Sequence, residues 1–169
     1  MIIRKASIQD LPFIVEIYNQ SIKKGQITAD MDVFTVEQKL EWFESHTRSN
    51  YPVFVCTIDD EIAGYAYLSP YRPGRRALEK TAEITYYVHE NYFRNNIGSE
   101  LINHLIDYAE SLNLENIIAV LISSNTPSIK ILEKFGFELW GSMPKIVKFN
   151  DGSFDHLYYG LKLGSNNNP

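Results

Sequence analysis

Several things are scarce in this sequence, and each scarcity removes a class of function. Cysteine occurs once, as Cys56, so no intramolecular disulfide can form and a reducing compartment, the cytoplasm, is the expectation. The four histidines, His46, His89, His104 and His156, share no ligand spacing with one another or with the cysteine, and no metal is expected. No apolar run nears the roughly 18 residues of a membrane span, and the charged start MIIRKASIQD is unlike a secretory signal. Basic residues are in the minority: 16 Lys and Arg against 21 Asp and Glu leave a formal charge of -5, the wrong sign for a partner such as nucleic acid or an anionic membrane. Both common phosphate fingerprints, GxxxxGKS/T and GxGxxG, are missing, which lowers nucleoside triphosphatase and dinucleotide readings.

What is present describes one ordinary globular domain. The chain has 169 residues, 44% hydrophobic and 22% charged, enough to bury a core without covalent or metal staples. Aromatic residues reach 13% and cluster beside turn signals, where they either fill the core or line a pocket.

Hydrophobic periodicity supplies the element order. A short strand at Ile2 to Lys5 precedes the capping pair Ser7 and Asp10 and a helix ending near Gly25. Thr35 and Gln38 repeat the capping logic for a second helix to about Ser49, after the loop GQITADMDVF. Two strands then flank the turn Asp59-Asp60, and the loop YRPGRRALEK leads to the strand TAEITYYV. Leu101, Leu105, Tyr108 and Leu112 give a long amphipathic helix from near Gly98. A buried strand at Ile117 to Ile122, a helix at Thr126 to Phe135 and strands at Glu138 to Val147 and Phe154 to Leu163 complete the chain. The expectation is β-α-α-β-β-β-α-β-α-β-β in one layered α/β (α+β) domain over residues 1 to 163, with a frayed tail at 164 to 169.

The strongest chemical signal runs from Glu83 to Ser99. A strand passes through Phe93, Arg94, Asn95, Asn96, Ile97, Gly98 and Ser99 into a helix N-terminus, where free N–H groups and the dipole can face a pyrophosphate; a plain helix cap has the same composition. Glu83 is a carboxylate in the middle of an otherwise apolar strand, so it needs either a salt-bridge partner or a task. Arg72, Arg75 and Arg76 lie on one loop and are either solvated or ligands for a small anion, with Phe34 and Tyr71 as aromatic walls or as core.

Read together, TAEITYYVHENYFRNNIGSELINHLIDYA and the distal SSNTPSIKILEKFGFELWG resemble the acetyl-coenzyme A signature of the GNAT N-acetyltransferases. RKASIQDLPFIVEIYN, IAGYAYLSPYRPG and KFNDGSFDHLYY narrow the resemblance to the phosphinothricin-acetyltransferase-like branch. It implies a GNAT-type fold, with a central mixed, largely antiparallel sheet splayed at the acetyl-coenzyme A site and flanked by helices. It further implies acetyl-coenzyme A as co-substrate, a small amino-acid-like amine as acceptor, and a homodimer. The backbone of Tyr86, Tyr87 and Val88 would hold the pantetheine arm, Arg94 to Ser99 the pyrophosphate, and Asn125 and Ser128 the cofactor from the last helix. Glu83 falls on the general-base position, and Phe34, Tyr71, Arg72, Arg75 and Arg76 on the acceptor side. The chain departs from the branch at Phe93, at Asn96, where the first loop glycine is usual, and at Leu132, where the family places the acid for the departing thiolate. Rival expectations are acetylation of protein N-termini or other small amines, and a non-catalytic acyl-coenzyme A module.

Overall fold

The computed structural model describes residues 1–164, so the tail expected to fray lies, from residue 165 on, outside the described residues. The elements follow the expected order: β1 (Ile2–Lys5), α1 (Leu11–Lys24), α2 (Val36–Thr47), β2 (Phe54–Ile58), β3 (Glu61–Pro70), β4 (Thr81–Val88), α3 (Ile97–Ser111), β5 (Asn116–Ile122), α4 (Thr126–Lys134), β6 (Glu138–Phe149) and β7 (Gly152–Lys162). Thr35 and Gln38 form the full capping box of α2, which stops at Thr47, two residues short of the expected end. At the 3-10 turn Ile8–Asp10 that leads into α1, Ser7 pairs with Asp10 by the same capping logic. The Asp10 carboxylate accepts from the Ser7 N–H at 2.7 Å and binds both terminal nitrogens of the Arg4 guanidinium, at 2.7 and 2.9 Å, tying β1 to α1.

The strands form one sheet in the order β1-β2-β3-β4-β5-β7-β6, antiparallel throughout except for the β4–β5 pair. Asp59 and Asp60 both adopt positive φ, as a two-residue hairpin turn between right-twisted strands requires, and they fix the β2–β3 register. Helices cover both faces. Leu11, Ile14, Val15 and Ile17 of α1 and Phe43 of α2 pack with Val53, Val55 and Tyr65 on one face; Ile97, Leu101, Ile102 and Leu105 of α3 and Leu132 of α4 pack with Ala66, Leu68 and Ile84 on the other.

The β4–β5 pair decides where a site can form. Its parallel register runs from Thr81 opposite Asn116 to Ile84 opposite Ala119 and stops there. Beyond that point β4 stays with β3, through Val88 opposite Gly64, while β5 stays with β7, through Ile122 opposite His156. The sheet therefore splits, leaving the β5-facing edge of Thr85 to Val88 without a strand partner. At the far edge β6 is largely exposed and interrupted by two register shifts, with the Trp140 ring lying against Gly160 so closely that a Cβ there would fall 2.0 Å from it.

Candidate active site

The split opens into a cavity of about 630 Å³. Alternate residues of a strand share a face, so Glu83, Thr85 and Tyr87 look toward α1 and α2 and Tyr86 toward α3 and α4; all four line the cavity. The acceptor-side wall is aromatic. Tyr87 meets Tyr18 edge-on at 5.0 Å and stacks with Tyr65 at 5.5 Å, and Tyr67 meets Trp42 at 5.3 Å.

Glu83 is the one carboxylate among the lining residues and is half-buried. It forms no hydrogen bond or ion pair with any described residue, and its charge is felt by the Tyr67 hydroxyl. Burial alone pushes its pKa above the usual carboxylate range, as expected for an acid desolvated without compensation. The salt-bridge alternative for this residue is thus absent among the described residues, and a partnerless carboxylate faces the cavity.

The other expected site residues divide into those the fold brings here and those it does not. Tyr71 and Arg72 line the mouth, Arg72 with its backbone at φ 53° and its guanidinium over the Tyr71 ring. Arg75 and Arg76 are exposed at the start of a short 3-10 turn and do not reach the cavity. Phe34 stands one ring behind the wall, 5.9 Å from Tyr18, on a second groove between α1 and α2, with its backbone held by both ends of the Asn19 amide.

Asn125 caps α4, its side-chain oxygen accepting from the Ser128 N–H at 3.4 Å, and both residues line the cavity. Arg94 and Asn96 carry the positive φ of the turn before α3, with Asn96 left-handed at φ 62°. The Asn96 side chain donates to Glu100 instead of capping, so no side chain caps the first turn made by Ile97, Gly98 and Ser99. Arg94 and Asn95 are exposed beside it. Val88 ends the open edge of β4 without lining the cavity. Leu132, fully buried, lines the floor and brings no proton there.

Lys39 is a residue that sequence reasoning missed. On α2, three residues before Trp42, it lines the cavity with its ammonium 3.7 Å from the centre of the Phe34 ring and 4.7 Å from that of Tyr18. Desolvation lowers its pKa and Asp30 opposes that, yet Asp30 lies outside ion-pair distance and is engaged by the Tyr18 hydroxyl, whose own pKa is pushed up to about 12 by burial and by that carboxylate. A sequence signal existed only in the i, i+3 spacing of Lys39 and Trp42, which by itself marks any amphipathic helix.

The sequence matches the acetyltransferase (GNAT) domain family over residues 3–158, nearly its whole length, and the chain belongs to that family. It is 34% identical over 165 residues to a Bacillus subtilis protein provisionally named phosphinothricin acetyltransferase YwnH, covering 96% of this chain and 99% of that one. It is 32% identical to the L-methionine sulfoximine/L-methionine sulfone acetyltransferase of Pseudomonas aeruginosa, over 85% of this chain and 84% of that one. A GNAT superfamily phosphinothricin acetyltransferase from Sinorhizobium meliloti, solved in complex with acetyl-coenzyme A, superposes with a TM-score of 0.91 at 27% identity, covering 99% of this chain and 92% of that one. The chain is therefore an acetyltransferase by family. Among the described residues no group of His, Cys, Asp and Glu could hold a metal ion, and no helix is long and apolar enough to cross a membrane.

Proposed function

We propose that this protein, as a single domain over residues 1 to 163, transfers the acetyl group of acetyl-coenzyme A to the primary amine of a small amino-acid-like acceptor of the phosphinothricin or methionine sulfone type. The observation that carries this reading is the split between β4 and β5, which sets an unpaired strand edge and the partnerless Glu83 in one cavity. The residues present fit the cofactor. The free edge at Tyr86, Tyr87 and Val88 offers backbone groups to an extended amide-bearing arm, Asn125 and Ser128 line its path, and the uncapped amides of Ile97, Gly98 and Ser99, with Arg94 and Asn95 beside them, suit a pyrophosphate.

Bound there, the cofactor supplies an acetyl thioester. Glu83 takes the proton that an ammonium must lose before nitrogen can attack, and its raised pKa brings it nearer the working range of a general base. Backbone N–H near Tyr87 stabilises charge developing on the acetyl oxygen. Lys39 and Arg72 are the cations of the lining, and a carboxylate or phosphinate on the acceptor suits both. Tyr71 and the ring of Phe34, acting through Lys39 and Tyr18, shape that side. Arg75 and Arg76 contribute long-range positive charge from outside. The single buried thiol of Cys56 accords with a cytoplasmic setting, and the exposed Leu139, Trp140, Met143 and Ile146 of β6 give a homodimer a surface to use.

Thiol release from acetyl-coenzyme A, measured in excess chelator against phosphinothricin, methionine sulfone, free amino acids, amino-acid amides and short peptides, tests the reading. Release that depends on a free amino acid or its analogue supports it. Release with peptides alone redirects the activity to protein N-termini, and no release with any amine overturns it.

A further inference from the structure

Two buried side-chain polar atoms among the described residues have no hydrogen-bond partner, His104 Nε2 and Tyr86 Oη. The histidine sits away from the cavity, 4.5 Å edge-on to Phe54. Tyr86 lines it. Its ring crosses from β4 toward α3 and α4, with an edge carbon 3.7 Å from the point where a side chain on Gly98 would begin. Ser128 is close enough to act on the hydroxyl, yet no hydrogen bond of normal geometry joins them. The other cavity tyrosines of β3, β4 and α1 are already engaged or face elsewhere: Tyr18 with Thr28 and Asp30, Tyr67 beside Thr85, and Tyr65 and Tyr87 stacked in the acceptor wall.

A buried hydroxyl without a partner forgoes a hydrogen bond that folding normally satisfies, so an orphan on a residue that lines a ligand cavity marks a contact the ligand completes. We propose that Tyr86 Oη is the proton donor to the sulfur of the departing thiolate. This rests on the acetyltransferase reading and adds a residue to it. Glu83 first passes the ammonium proton on to solvent; the acceptor nitrogen then bonds to the acetyl carbon, the C–S bond breaks with its electron pair on sulfur, the second nitrogen proton goes to Glu83, and the Tyr86 proton goes to sulfur. The proton on Glu83 then returns through solvent to the phenolate, leaving amide and thiol as the net products. Base and donor stand three residues apart on one strand and so on opposite faces of it, one toward the acceptor and one toward the cofactor arm. Burial raises the Tyr86 pKa, which keeps the hydroxyl protonated until the sulfur becomes basic. Leu132 on the neighbouring wall of α4 is apolar and leaves this task to another residue.

The test compares the parent with Tyr86→Phe, which keeps the ring. Calorimetry with coenzyme A and with desulfo-coenzyme A, which lacks the sulfur, reads the contact without turnover. The parent is expected to bind coenzyme A more tightly by about three- to tenfold, the range of one hydrogen bond between neutral groups, and Tyr86→Phe to bind the two alike. In turnover kcat should fall by about 10²-fold with the KM for acetyl-coenzyme A within a few-fold of the parent. Replacing Tyr86 by 3,5-difluorotyrosine, with its more acidic hydroxyl, should restore turnover and bring an alkaline limb into kcat at lower pH. A parent without preference for the sulfur, a Tyr86→Phe variant with parental kcat, or one that loses affinity for both ligands equally each overturns the assignment. A parent inactive with every amine fails the acetyltransferase reading instead, and the calorimetric comparison still judges the contact.

Discussion

The two faces of β4 divide its eight residues between opposite ends. Toward α3, Ala82 and Ile84 are buried against Leu101, Ile102 and Leu105, and the packing is apolar. Toward α1, Glu83, Thr85 and Tyr87 are only partly buried and face rings, hydroxyls and space. One face contributes stability by removing apolar area from water, whereas the other holds a desolvated carboxylate that opposes it. Stability and the base are thus separated across the thickness of the strand at Ala82 to Ile84, before Tyr86 brings a cavity residue to the α3 side, and substitutions at Glu83 and in the packing against Ile84 should separate the same way.

The largest expected effect is at Glu83. Glu83→Gln should lower kcat by roughly 10² to 10⁴ with cofactor affinity unchanged, and the residual rate should climb with pH as free amine accumulates. The same substitution should raise the melting temperature at neutral pH. Because the folded-state pKa lies above the unfolded value, the ionised carboxylate costs stability as pH rises through and past that range, and glutamine removes the cost. Near-parental turnover would remove Glu83 from the mechanism, and a lower melting temperature would make it structural.

On the packed face the pattern should reverse. Leu105 is fully buried, and Leu105→Ala should cost about 2 to 5 kcal/mol in denaturant unfolding while leaving the KM of either substrate near the parent's. A smaller effect is expected at the pocket rim. Lys39→Met should raise the KM for an acceptor bearing a carboxylate by about tenfold, with little change for the corresponding amide or for acetyl-coenzyme A. Equal losses for acid and amide would show that Lys39 only props the rings of Phe34 and Tyr18.

The smallest effect lies outside both faces. The Arg4 guanidinium, with help from the Ser7 amide, holds Asp10 down at about 2, so this pair stabilises the fold above pH 4 and loses its contribution as pH falls through 4 toward 2. Since Arg4 is half-exposed, Asp10→Asn should cost only about 1 kcal/mol at pH 7 and progressively less as pH falls toward and below 2, read as converging unfolding curves.

Features set by near neighbours in the chain were legible beforehand. The capping box of Thr35 and Gln38 and the Asp59-Asp60 hairpin each follow from a few adjacent residues. The parting of β4 from β5 is of another kind. TAEITYYV and NIIAVLI both read as uninterrupted strands, and only their different partners on either side pull them apart after Ile84. Lys39 escaped for the same reason, because its ammonium is drawn into the cavity by rings that lie five and twenty-one residues away. Arg75 and Arg76 show the converse: adjacent to Arg72 in the chain, they are carried off by the turn that begins at Arg76. The missing acid at Leu132 was visible, whereas the unsatisfied Tyr86 hydroxyl could be found only once its surroundings were known.

The placement of the two tryptophans makes the molecule its own optical instrument. Trp42 belongs to the aromatic wall, 5.2 Å from His46 and 5.3 Å from Tyr67, while Trp140 rests on Gly160 at the opposite margin of the sheet, well exposed. Excitation of the native chain therefore mixes light from the acceptor pocket with light from the outer hairpin. A Trp140→Phe chain emits from the pocket alone, and a Trp42→Phe chain from the edge alone, so acceptor binding and any association through β6 become separately visible in one cuvette without an added label.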